Sequence, residues 1–325
     1  MQDFTQFHEE CERGARLNEL ADFFSSTAAG RAGVPIRRPS LDFRLLERNP
    51  ETERFAALHT VRQGPFDQHY LSSIPYRYEE EIRLGTAILR YSSARQSPLT
   101  LYSLGTAEGT MARTISELAD GQILSLSCSP TIENQESFYA WGVPKHAQFF
   151  LGPFNHLSPE SLSQTPGLQD FASGFDIIFE DTTFQMYSPN RQQQIAFVRR
   201  NLKAKGLMIF LEKFRSQDVE EYRRRELQKD HGFKVRYFSE AEINRKKTNV
   251  LETMNLNEVT LDEMRSVLRD VFSYAYIIWN SGNFYSIAAS NSLRNLDLFV
   301  SCLGPAAIPS EYTYGEVPAR FLPDP

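Results

Sequence analysis

From Pro98 onward, short apolar runs alternate with amphipathic stretches. Leu99–Leu104, Gln122–Ser127, Ala147–Leu151, Phe175–Asp181 and Leu207–Glu212 read as strands. Helices are predicted between them, at Thr110–Leu118 and Arg191–Leu202. Strands that are apolar throughout and separated by helices imply a parallel sheet covered on both faces. Tyr274–Trp279 and Asn283–Ala289 lie too close together for a crossover, so they form an antiparallel hairpin. Gln217–Asp230 and Glu240–Asp270 are charged and helical, an insertion spanning about 215–272. Ahead of the sheet, Phe4–Phe24 reads as polar helix, and a Gly/Arg/Pro connector runs from Gly30 to Pro39. Glu79–Tyr91 places Ile82, Ala87, Ile88 and Tyr91 on one helical face. The expected organisation is a helical extension over 1–60, a main domain over 61–290 and a Pro-rich tail over 291–325.

Composition narrows the function. The 325 residues carry 35 basic and 41 acidic side chains, a net charge of −6, which offers no field for a phosphate backbone. No apolar run is long enough to span a membrane, and the start MQDFTQFHEE lacks the pattern of a secretory leader. Cys11, Cys128 and Cys302 are far apart and fit neither a disulfide framework nor a zinc site. A cytoplasmic protein with a small-molecule substrate, no membrane partner and room for a homo-oligomer is expected.

In an open α/β sheet, ligands bind beyond the carboxyl ends of the strands. The first strand runs into Gly105-Thr106-Ala107-Glu108-Gly109-Thr110, where two glycines let the chain turn into a helix and approach a ligand. The second strand ends in Ser127-Cys128-Ser129-Pro130, hydroxyls and a thiol where an acid would grip a ribose. The fourth ends in Glu180-Asp181, either a turn cap or a site carboxylate. Glu212-Lys213 reads as a structural ion pair. Basic groups between Arg236 and Lys247 suit either a solvated helix face or an anionic substrate.

Five parallel strands closed by a hairpin resemble the seven-stranded, Rossmann-like sheet of class I S-adenosylmethionine (SAM) dependent methyltransferases. Within that class the chain looks closest to the carboxy-S-adenosyl-L-methionine synthases, from about Phe66 to Ser290. The likeness is carried by Ser73-Ile74-Pro75-Tyr76-Arg77, Asp181-Thr182-Thr183-Phe184-Gln185, Leu211-Glu212-Lys213-Phe214, Ser239–Ile243 with Lys246-Lys247, and Trp279 with Asn283-Phe284. The resemblance implies SAM or a derivative as cofactor, held by Gly105, Thr106, Ala107, Gly109, Ser127, Cys128, Phe154 and Asp181. It implies Asp181 and Tyr78 as catalytic groups, and Arg77, Arg245 and Lys247 as contacts to a carboxylate-bearing substrate. The family's acids are replaced by Ser103 and Ser127, its sulfonium-side asparagine by Asp181 and its carboxylate-binding arginine by Lys247. Three readings follow: a SAM-dependent methyltransferase, a catalytically silent binding or assembly module on the same fold, and a carboxy-SAM synthase.

Overall fold

The computed structural model of the chain describes residues 3–323. Five helices precede the first strand: α1 (Thr5–Glu12), α2 (Ala21–Ala28), α3 (Pro50–Arg62), α4 (Pro65–Leu71) and α5 (Arg77–Ser93). The alternating part then runs β1 (Leu99–Leu104), α6 (Thr110–Ala119), β2 (Ile123–Ser129), α7 (Ile132–Tyr139), β3 (Ala147–Leu151), α8 (Pro159–Gln164), β4 (Phe175–Asp181), α9 (Arg191–Arg199) and β5 (Leu202–Lys213). Next come α10 (Val219–Leu227), α11 (Glu240–Lys246), α12 (Glu252–Asn255) and α13 (Leu261–Val271), interrupted by π-helical turns at Gln228–Phe233 and Lys247–Leu251. The chain closes with β6 (Tyr274–Ser281), β7 (Phe284–Ser290), α14 (Leu293–Ser301) and the short β8 (Ala319–Arg320).

The eight strands lie in the order β3-β2-β1-β4-β5-β7-β6-β8. Strands β1 to β5 pair in parallel, and β7 is antiparallel to both β5 and β6. This is the α/β methyltransferase-type sheet expected from the sequence, widened by β8 on β6. The tail thus contains α14 and an edge strand as well as its prolines. The expected helix over Arg191–Leu202 ends at Arg199, because Leu202 already pairs with Phe175 and β5 starts there. Gly282, at φ +59°, makes the tight hairpin turn between β6 and β7.

Alternation along the strands fills both faces. Leu99, Leu101, Ile177 and Phe179 join a core with α3, α5 and α6. Tyr102, Leu104 and Ile178 join one that includes Phe7 and Phe24 from the first two helices. Helix α5 is buried nearly all round, so Glu79, Glu80, Glu81 and Arg83 lie inside beside the apolar face the sequence predicts. Arg83 pays for that position by pairing with Glu80 at 2.8 Å.

Candidate functional site

The loop leaving β1 turns back on itself through three left-handed residues: Gly105 (φ +67°), Ala107 (φ +46°) and Gly109 (φ +67°). A side chain at Gly105 would run into Thr183, and one at Gly109 into Ser127. The two glycines let the loop lie against the ends of β4 and β2, and the room they spare is taken by protein. Beyond the loop lies a cavity of about 1150 Å³ of atom-free space, partly open to solvent. Its walls include Gly105, Thr106 and Ala107, Asp181 at the end of β4, Tyr70 of α4, and the insertion residues Lys246 and Met254.

Asp181 is the centre of a buried charge chain. Its Oδ1 accepts the hydroxyl of Tyr70, and its Oδ2 accepts Arg77 Nη2 at 3.0 Å. Arg77 also pairs with Glu81 at 3.1 Å, and Glu81 meets His59 Nε2 at 2.7 Å. Burial raises the Asp181 carboxyl above its ordinary range, against the pull of Arg77. Burial and the neighbouring Asp181 push the Tyr70 hydroxyl well up, so it stays protonated and donates. Glu180, the other half of the predicted acid pair, accepts the amides of Thr183 (2.6 Å) and Phe184 (3.1 Å). Glu180 is therefore the turn cap, and its neighbour Asp181 lines the cavity.

A second acid pair lies beside the loop. Glu108 accepts the amides of Phe66 and Asp67, both at 3.1 Å, at the start of α4, while Thr110 donates to Asp67. Burial raises the Glu108 carboxyl, and the capping amides only partly offset it. Burial and Glu108 push Asp67 well above the carboxylate range, so Asp67 keeps the proton.

Lysines line the opposite end, Lys213 from the end of β5 and the others from the insertion. Lys213 pairs with Glu226 (3.0 Å) and Glu258 (2.8 Å), Lys229 with Glu226 (2.6 Å) and Lys234 with Asp230 (2.9 Å). Glu212 pairs with Arg191 at 2.7 Å and not with Lys213, so both act structurally through other partners. Lys246 donates to His69 Nε2 and to Ser73 Oγ (3.0 Å). His69 Nδ1 faces the Gly33 carbonyl at 2.6 Å, so the ring is the Nδ1–H tautomer and Nε2 is free to accept. Burial, with Lys234 and Lys229 nearby, draws the Lys246 amine well below the usual lysine range.

Several expected site residues lie elsewhere. Ser127 and Cys128 are sealed inside the sheet, and the Cys128 thiol contacts Tyr102 Oη at 3.2 Å and is pushed up to about 11 by burial. Phe154 is wedged among Phe7, Phe184 and Tyr187, with ring centroids 6.0, 5.5 and 5.1 Å away. The N-terminal helices cover this end: Arg16 reaches Thr131 Oγ1 at 2.6 Å, and Ser25 reaches Glu133 at 2.5 Å. Tyr78 is turned to Thr60 Oγ1 at 2.6 Å, away from the cavity, and Tyr70 is the tyrosine that meets Asp181. Arg77 is near the cavity but committed to Asp181 and Glu81. Arg245 borders a separate surface pocket, and Lys247 is exposed where its neighbour Lys246 points inward. Sequence reasoning missed Arg16, Asp67, Tyr70, Glu108 and Lys246. The Pro65 helix start was the one local signal, since it sets Asp67 and Tyr70 on one helix one turn apart.

Among the described residues, no group of His, Cys, Asp and Glu is arranged to hold a metal ion, and no helix is long and apolar enough to cross a membrane. No family model matches the sequence, and no curated protein does either. Solved structures similar in shape include the plantazolicin methyltransferase BamL in complex with a triazolic desmethylPZN analog and SAH. It has a TM-score of 0.45 at 13% identity over 74% of this chain and 98% of that one. The plantazolicin methyltransferase BpumL in complex with SAH has a TM-score of 0.45 at 11% identity, over 84% and 99%. A SAM dependent methyltransferase from Aquifex aeolicus has a TM-score of 0.40 at 12% identity, over 68% and 95%. These likenesses carry no argument about substrate, and the architecture rests on the chain's own strand order.

Proposed function

We propose that this chain is a SAM-dependent methyltransferase or methyltransferase-like protein that holds an adenosyl ligand in the cavity at the ends of β1 and β4. The observation that carries the reading is a pair of buried acceptors, Asn134 Oδ1 and Gln185 Oε1. Neither has a hydrogen-bond partner, and both residues line the same cavity as Thr106, Ala107 and Asp181. A buried polar atom left unmet costs about 1–3 kcal/mol, so such acceptors call for donors from a ligand. Ribose hydroxyls, an adenine amino group and an amino-acid ammonium are such donors. In this reading Asn134 and Gln185 take the part expected of Ser127, Cys128 and Phe154.

Bound SAM supplies an electrophilic methyl group on a sulfonium. The protein's own contribution is positional and electrostatic. Asp181, fixed by Tyr70 and Arg77, is one of the acids in the wall, with Asp67 and Glu81, and its charge favours a nearby cation. Tyr70 keeps its proton and orients Asp181, so it does not serve as the base. The three separated, unpaired cysteines suit a cytoplasmic location.

Calorimetric titration with SAM and with SAH tests the reading. Saturable binding is expected, weakened about tenfold by Asn134→Leu or Gln185→Leu and abolished by Gly105→Arg. A flat titration at millimolar SAM overturns it. That result favours the silent binding module, a reading supported by the closure of Ser127, Cys128 and Phe154 behind the first two helices.

A further inference from the structure

Two buried arginines stand near the cavity, and only one has counter-charges. Arg77 is held between Asp181 and Glu81. Arg16 is 7% exposed, lines the cavity and has no carboxylate of the described residues within salt-bridge distance. Thr131 Oγ1 is the one acceptor among the described residues that its guanidinium meets, at 2.6 Å. One face is covered by the ring of Phe24, 4.0 Å from the guanidinium carbon. The acid in the first turn of α7, Glu133, is turned to Ser25 and to Arg31 (3.4 Å). The ionisable groups that act on Arg16 are Tyr187 and Cys128, which burial keeps neutral.

A guanidinium cannot shed its proton to escape burial, as a lysine does, and it presents five donors in a fixed fork. Most of that fork is unspent here. Thr131, which precedes α7, accepts from Arg16 with its hydroxyl oxygen, and its side chain does not cap that helix. The free donors of the guanidinium and the positive end of α7 therefore meet at the carboxyl end of β2. In nucleotide-binding α/β sheets an acid at the corresponding place takes a ribose diol, whereas an arginine there accepts a phosphate.

We propose that Arg16 is an oxyanion-binding residue: the natural ligand of the cavity carries a phosphate or carboxylate group at the end of β2, received by the Arg16 fork beside the start of α7. The charge that an acid at Ser127 would have supplied is reversed at this end, so the group received there is an anion that the ligand carries besides any adenosyl part. The inference goes beyond the adenosyl reading and does not depend on it. A silent SAM titration leaves it standing.

The test is thermal unfolding of the full chain in inorganic phosphate, in acetate and in chloride at matched ionic strength, for wild type, Arg16→Met, Arg16→Lys and, as a control outside the cavity, Lys247→Met. Saturable stabilisation of the wild type by at least one oxyanion over chloride is expected. A phosphate response assigns a phosphorylated ligand, and an acetate response a carboxylated one. Lys247→Met keeps the response, Arg16→Lys reduces it and Arg16→Met abolishes it. In chloride alone Arg16→Met is as stable as wild type or more so, because an uncompensated buried charge has been removed. The proposal is overturned if neither oxyanion acts beyond chloride, if Arg16→Met retains the full response, or if Arg16→Met is strongly destabilised in chloride.

Discussion

The β1/β4 end of the cavity and the β2 end use the same residue type in opposite ways. At β4, Arg77 is wholly enclosed and answered by two carboxylates and a chain of hydrogen bonds reaching Tyr70 and His59. At β2, Arg16 is almost as deeply buried and answered by a hydroxyl and an aromatic face. A buried charge is tolerated when its partners come with the fold, and it is costly when they do not. The first end neutralises its cation and fixes Asp181, although Arg77 Nε and Nη1 meet no acceptor. The second is an open valence.

The widest gap between the two should appear on removing each charge. Arg77→Met leaves Asp181 and Glu81 buried without a cation, and a loss of about 3–5 kcal/mol is expected in urea unfolding. The matching Arg16→Met protein should unfold no earlier than wild type in chloride. Equal losses in both variants would erase the distinction. Tyr70→Phe comes next. It removes the donor to Asp181 and should cost about 1–3 kcal/mol while leaving the oxyanion response intact. Changes at Arg245 and Lys247 should be smallest. Both are exposed outside the cavity, so alanine there should shift stability by no more than about 0.5 kcal/mol and leave ligand titrations unchanged. A large loss of ligand affinity in Lys247→Ala would restore the substrate contact implied by the resemblance.

The central strands, the hairpin, the loop glycines and the place of Asp181 at a strand end were legible in the sequence because each has a local cause, whereas the start of β5 at Leu202 was read as the end of a helix. A run of alternating or continuous apolar residues fits a strand, a glycine permits φ near +67°, and a residue ending a central parallel strand must face the ligand edge. Helix-borne contacts were much less legible. Tyr78 and Tyr70, or Lys247 and Lys246, differ by which side of a turn faces inward, and that angle is set by docking against other elements. Nor does spacing reveal that α5 is buried on nearly every side and needs its acids inside. What the chain's local pattern determined by itself is a doubly covered sheet with a glycine loop and one acid at its ligand edge. What only the tertiary structure decided is the occupant of the β2 end. Arg16 lies 115 residues before Thr131, and no local propensity can say that a distant helix pair will close over Ser127 and Phe154 and leave a guanidinium there without a counter-charge.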